Sequence, residues 1–308
     1  MRIFVIGGTG FIGRWVVKSL AAAGHEVTVL HRGHQPLASE MGAVEIIGDR
    51  AQLADLAQPT DVVLDMIASS EASATQLLEA FRGKADRFVV MSSADVYRAH
   101  DVMHGKDPGP PQPIPIHEDA PLRSSRYPYR GVPIEVFDWL SDDYDKMLTE
   151  NTLRSLAGSK ATVLRLPMVY GPGDPLHRFR PYLRQMDSGA QTIALDGPMA
   201  DWRGCWGFVE NVADAIALAC AANQAAGKIY NVADPEPLSF SQLILELGRV
   251  AGWQGTIDAS GTPAPQFRYD QHWHTDTARI RQDLGYHERV PRDQALKLTA
   301  DWERSLSA

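Results

Sequence analysis

The residues with the clearest chemistry stand near the N-terminus. Gly7, Gly8, Thr9, Gly10, Phe11, Ile12 and Gly13 follow a short apolar run, Ile3 to Ile6, and open a helical pattern. Glycines at this spacing allow a tight turn and leave bare backbone for a pyrophosphate to approach. They also lead into a helix N-terminus, whose free N–H groups and positive dipole end attract anions. The loop therefore reads as a dinucleotide cradle, with Gly7, Thr9, Gly10, Phe11, Ile12 and Gly13 as contacts. An acid holding a ribose 2′-hydroxyl is expected about 20 residues further on, but His31 and Arg32 stand there instead. An arginine at that point can pair with a 2′-phosphate and stack on adenine, whereas a carboxylate repels the phosphate. This favours NADP, with NAD as the alternative; for Arg32 the competing reading is a solvated loop residue. His31, Arg32, Asp49 and Arg50 are read as cofactor contacts; Asp49 could accept a hydrogen bond from the adenine amino group or form an Asx turn with Arg50.

The elements around this loop follow from hydropathy. Apolar runs at 3–6, 26–30, 43–47, 61–66, 87–91 and 161–166 alternate with helical segments, which is the βαβ rhythm. Their continuous apolar character implies strands covered on both faces, hence a doubly wound parallel α/β sheet between helix layers. Phe11 to Ala23 reads as the first helix, ended by Gly24. Residues 1–173 are expected to form the dinucleotide-binding domain, with 206–234 returning to it as a helix and a strand. Segments 174–205 and 235–308 are left for a smaller substrate lobe. Eight prolines fall between 100 and 135, so a long irregular connection is expected there, in the role of an enlarged lid.

Composition narrows the function. The chain has 308 residues, 44% hydrophobic and 22% charged, which is ordinary globular usage and excludes disorder. A net charge of −8 opposes polyphosphate partners, so no nucleic acid is expected. No run approaches a membrane span, and no signal peptide or membrane anchor is read from the N-terminus. Cys205 and Cys220 lack CxxC spacing and read as reduced thiols of a cytoplasmic protein.

Six ordered runs carry a resemblance over essentially the whole chain: GGTGFIG (7–13), GD (48–49), SSADVY (92–97), LRLPMVYGPGD (164–174), FVENVADAI (208–216) and IYNVAD (229–234). The sequence resembles the extended short-chain dehydrogenase/reductases, the NAD-dependent epimerase/dehydratase family. The resemblance implies a Rossmann-like sheet, a C-terminal substrate lobe, a nicotinamide cofactor over Ser93 and a small-molecule substrate, with a homodimer as the default assembly. It adds Met66, Pro167 and Val169 as cofactor contacts. It also implies a serine that orients the substrate oxygen, matched by Ser93, and a lysine that binds the nicotinamide ribose, matched by Lys146.

The family's tyrosine, four residues before that lysine, is missing. Asp142 stands there, and none of the chain's lysines completes a YxxxK. Tyr144 lies only two residues before Lys146, about 200° around a regular helix, which makes it a poor direct replacement. Three repairs stay open: Asp142 acts as base, the helix is irregular near Tyr144, or Tyr127, Tyr129 or Tyr97 folds in. Loss of the proton shuttle is the fourth possibility.

His177, Arg178, Arg180 and Arg203 could line the substrate lobe and grip a phosphate, or be locally paired. His272 and His274 alternate as strand neighbours would and could ligate a metal, but without a third clustered ligand no metal is expected. Trp202, Trp206, Trp253 and Trp273 read as lobe packing. The reading is an NADP-using oxidoreductase or epimerase/dehydratase acting on a hydroxyl or carbonyl carbon of a small molecule, a sugar or nucleotide sugar among them. The alternative is a catalytically impaired nucleotide-binding sensor.

Overall fold

Runs of Val, Ile, Leu and Phe that bury side chains on alternate faces build the centre of the molecule. The computed structural model describes residues 1–37, 41–132, 140–262 and 267–306. Positions 133–135 of the proline-rich stretch, and 263–266 and 307–308 of the expected lobe, lie outside the described residues. The strands are β1 (Arg2–Ile6), β2 (Glu26–His31), β3 (Val44–Ile47), β4 (Thr60–Asp65), β5 (Ala85–Ser93), β6 (Ala161–Leu166), β7 (Met168–Tyr170), β8 (Thr192–Asp196), β9 (Trp206–Phe208), β10 (Ile229–Asn231) and β11 (Thr256–Gly261). The helices are α1 (Phe11–Ala22), α2 (Leu53–Leu56), α3 (Glu71–Ala80), α4 (Arg98–Met103), α5 (Lys146–Leu156), α6 (Arg180–Asp187), α7 (Gly197–Asp201), α8 (Val209–Ala221), α9 (Phe240–Ala251), α10 (Ala278–Leu284) and α11 (Arg292–Ser305).

Seven strands form one sheet in the order β10-β6-β5-β4-β1-β2-β3, paired in parallel throughout. This is the Rossmann-like α/β arrangement. On one face Ile3, Val5, Val62 and Leu64 join a core containing α1 and α8 residues such as Val17 and Ile216. On the other, Phe4, Ile6, Val63 and Val90 pack with Leu77 of α3 and Leu153 of α5. The first core continues into Ile193, Leu195, Phe240 and Leu247, so β8 and α9 share it. Two small sheets, β11-β8 and β7-β9, complete the strand pairing.

Two expectations are corrected. The run at 43–47 is not covered on both faces: β3 is the sheet edge, and Val44 and Ile47 are 64% and 70% exposed. Only four-residue α2 follows it, too short to cover a strand. The proline-rich stretch is indeed non-helical after α4, but it is built into the body rather than hinged over it. Ile116 bridges Thr275, Ile116 and Gln112 are buried, and the amides of Ser124 and Ser125 donate to the buried Asp101 carboxylate. No helix among the described residues is long and apolar enough to cross a membrane.

Candidate active site

The strand order reverses between β1 and β4, and the crevice beyond their C-terminal ends is where such sheets bind ligands. The glycine loop lies there. Gly7 adopts φ +85°, and a Cβ on it would meet Ile67, after β4, at 2.5 Å. A Cβ on Gly13 would meet the Gly7 carbonyl oxygen at 2.7 Å, an obstacle of backbone that cannot rotate away. Gly10 differs, because a Cβ there meets nothing within 4 Å. Gly10 caps α1 without a side-chain hydrogen bond, and no acid occupies the first turn. The helix end thus offers its amides to an anion, and the residues fit the pyrophosphate of a dinucleotide. Phe11 packs towards Gly173, joining the loop to the segment after β7.

At the adenine end the structure redistributes roles. Arg32 is exposed beyond β2. His31 is buried: its Nδ1 accepts from the Gly33 amide at 3.1 Å, and its Nε2 lies 3.3 Å from the Glu45 carboxylate. It therefore braces the β2–β3 edge instead of presenting itself to a ligand. Asp49 is the Asx-turn alternative realised, accepting from the Ala51 amide at 2.8 Å. Arg50 also turns inward, donating to the buried Asp65 carboxylate at 2.7 Å and to the Ser73 carbonyl at 2.6 Å. Met66 is half-buried directly after β4, and Pro167 and Val169 flank the start of β7.

The proton-handling groups gather where β5 ends and α5 begins. Ser93 closes β5, and its hydroxyl accepts from the Asp95 amide at 3.2 Å. The phenol of Tyr144 donates to Asp95 Oδ2 at 2.9 Å, and that of Tyr129 donates to the same oxygen at 3.1 Å. Lys146 Nζ donates to the carbonyls of Ala68 (2.6 Å) and Met91 (2.9 Å) and lies 5.7 Å from the Tyr144 ring centroid.

Tyr144 escapes the helical phase for a structural reason. Lys146 is the first residue of α5, and its N-cap, Asp145, is extended at φ −158°. Tyr144 therefore lies outside the helix, and the helical repeat does not govern its direction. The buried Asp145 carboxylate accepts from Arg123 Nη2 at 2.7 Å and from the amides of Met147 and Tyr127. It ties the proline-rich segment to the helix start and carries Tyr129 into the site.

Burial shapes the chemistry of these groups. It pushes the phenols of Tyr144 and Tyr129 well above the ordinary range, reinforced by the Asp95 charge. Burial also brings the Lys146 amine down to about 8, against the opposing pull of Asp95 and Asp65. The phenols are thus poised as donors, and the lysine reaches neutrality not far above physiological pH.

Other candidates stay outside this group. Asp142 is exposed, and its carboxylate accepts from the Gly131 amide. Tyr97 is sealed in the core, donating to Asn231 at 2.6 Å. The Tyr127 ring is covered by the Arg130 guanidinium. His177 pairs with Glu303, Arg178 with Asp174, and Arg180 with the Leu306 carbonyl, while Arg203 donates to Pro237 O. These four are local braces. His272 Nδ1 accepts from the Arg203 amide, and no cluster of three potential metal ligands occurs among the described residues. Trp206 stacks on Phe240, and the indole N–H groups of Trp202 and Trp253 donate to backbone carbonyls, which is packing. Sequence reasoning missed Asp95. Its signal was present: an acid two residues after Ser93 in SSADVY.

The signature of the NAD dependent epimerase/dehydratase family matches residues 3–233. The chain belongs to that family. Membership places it among NAD-dependent epimerases, dehydratases and related oxidoreductases. Among curated relatives, it is 26% identical over 306 residues to a 2′-dehydrokanamycin reductase of Streptomyces kanamyceticus, covering 94% of this chain and 79% of that one. It is 24% identical over 322 residues to a chloroplast stem-loop binding protein of 41 kDa of Arabidopsis thaliana, covering 92% and 74%. Among solved structures, a UDP-glucose-4-epimerase of Stenotrophomonas maltophila with bound NAD superposes with TM-score 0.74 at 20% identity, over 99% of this chain and 98% of the other. That likeness establishes the shared fold.

Proposed function

We propose that this family member is a nicotinamide-dependent oxidoreductase or epimerase acting on a hydroxyl or carbonyl carbon of a polar small molecule, with sugars and aminocyclitol-like rings as the first class to test. One observation carries the reading: Asp95 joins a phenol to the serine, its carboxylate accepting from Tyr144 and its amide donating to the Ser93 hydroxyl, next to a buried lysine. Ser93 orients the substrate oxygen, Tyr144 moves its proton and Lys146 holds the cofactor ribose. The cradle of Gly7, Thr9, Gly10, Phe11, Ile12 and Gly13 holds the pyrophosphate, and Met66, Pro167 and Val169 flank the rest of the dinucleotide. The cofactor, when bound, supplies hydride acceptance and donation. The reductase and epimerase relatives support this class of chemistry.

Arg32 stands just past β2, at the sequence position where a ribose-binding acid is expected, which supports NADP over NAD. Two buried, unpaired cysteines are compatible with a cytoplasmic setting, and a homodimer is the assembly to look for. A carbonyl-substrate panel with NADPH and NADH tests the reading. Turnover by the wild type that disappears in Ser93→Ala and Tyr144→Phe supports it. Tight nucleotide binding without turnover, unaffected by either substitution, favours the sensor alternative. The raised phenols, which resist ionisation, are the observation on that side.

A further inference from the structure

We propose that Asp95 is the proton store of this site, taking and returning through the Tyr144 phenol the proton that leaves or joins the substrate oxygen. The inference rests on the proposed function and adds to it a residue acting through Tyr144. Two phenols donate to one carboxylate oxygen, Asp95 Oδ2, at 2.9 and 3.1 Å. The other oxygen, Oδ1, is buried and has no hydrogen-bond partner among the described residues. A buried polar oxygen left without a partner calls for an explanation, and a role in moving protons supplies one.

The relay balances without a redox partner. The substrate O–H bond breaks as an O–H bond forms on Tyr144 Oη. The original Tyr144 O–H bond breaks as its proton binds Asp95 Oδ2. The substrate hydroxyl ends as an alkoxide-like oxygen, Tyr144 is neutral at both ends, and Asp95 passes from carboxylate to carboxylic acid. The reverse sequence protonates the oxygen of a reduced carbonyl.

A standing tyrosinate is disfavoured here because burial opposes charge on both phenols. The groups facing Asp95 come from several elements. Lys146 lies at the start of α5, with the Asp65–Arg50 pair behind it. Arg123 donates to the Asp95 backbone carbonyl at 3.1 Å. His100 of α4 packs edge-on against Tyr129, with ring centroids 5.9 Å apart. Lys146 and Arg123 bring positive charge to this side of the site, and the two phenols place their protons on one oxygen of Asp95.

Asp95→Asn tests the role, because an amide oxygen still accepts both phenol hydrogen bonds but does not hold the proton. In the cofactor-free protein, ultraviolet titration of tyrosine is expected to show one phenol ionising at least about one pH unit lower in Asp95→Asn than in wild type. That component should vanish on adding Tyr144→Phe. An unchanged titration overturns the proposal. With a substrate from the panel, Asp95→Asn is expected to lose about 100-fold in kcat for alcohol oxidation, together with the acid limb of its pH profile. Asp95→Glu should restore at least a tenth of wild-type kcat. Retained kcat and an unaltered pH profile in Asp95→Asn reduce Asp95 to a hydrogen-bond brace and overturn the proposal. If the wild type turns over nothing in the panel, the proposed function falls, and the cofactor-free titration alone decides for or against Asp95. Should Asp95→Asn fail to fold by circular dichroism, Asp95→Ser, which also removes the carboxylate, carries the same titration: a lowered Tyr144 component supports the coupling, and an unshifted one overturns it.

Discussion

At Tyr144 a hydrogen-bond acceptor, and not a helical repeat, decides where the phenol points. The expected consequence is that Tyr144→Phe lowers kcat by about 100-fold or more while cofactor affinity stays within a few-fold, as transient kinetics and nucleotide titration would show. Lys146 makes a second prediction at this scale. Burial lowers its folded-state pKa to about 8, below its unfolded value, so folding releases a proton between those two values. Stability therefore rises with pH in that window as the cost of burying an ammonium is relieved. Lys146→Met should lack this rise: its melting temperature relative to wild type should be more favourable at pH 7 than at pH 10. Equal differences at both pH values would contradict the assignment.

At the level of elements, two glycines of one loop should behave oppositely. Gly13→Ala drives a Cβ into the Gly7 backbone and is expected to cost about 1–3 kcal/mol, read as a lower melting temperature. Gly10→Ala enters open space, so it should fold like wild type and lose dinucleotide binding by calorimetry. Asp145 joins the start of α5 to the proline-rich segment through Arg123. Removing one partner of that buried pair in Asp145→Ala should cost on the order of 3–5 kcal/mol.

The same elements show what the sequence made legible. Hydrophobic continuity marked β1, β2, β4, β5 and β6 because each is covered on both faces, and it misread β3 because apolarity says nothing about sheet position. The glycine loop was legible because its residue types answer local backbone demands. Tyr144 was misjudged because the start of α5 depends on Asp145 finding Arg123, 22 residues away. Arg50 and His31 stand at positions that suit a ligand, but their carboxylate partners, the buried Asp65 of β4 and Glu45 of β3, come from other elements of the chain. Asp95 went unseen because its importance arises from two phenols that arrive from distant segments.

For the whole molecule, one apolar core runs from the sheet into β8 and α9, so this part of the chain is expected to unfold as a unit. Cys220 lies in that core and Cys205 in a smaller cluster with Tyr97 and Ile116, so the two thiols report on both. Both are buried, and desolvation pushes their thiols up to about 12. A thiol reagent should modify neither in the native protein near neutral pH and both in denaturant, with rates that follow global unfolding. Rapid native labelling of either would show that the core opens locally.

Because Tyr144 is held by Asp95, before the helix starts, the chain between phenol and lysine has only to satisfy a reach. Angular phase is no longer the constraint. One residue inserted there adds slack, whereas the same insertion inside a helix swings every later side chain by about 100°. Spacing between catalytic residues is thus free to drift in such a site while its geometry stays constant.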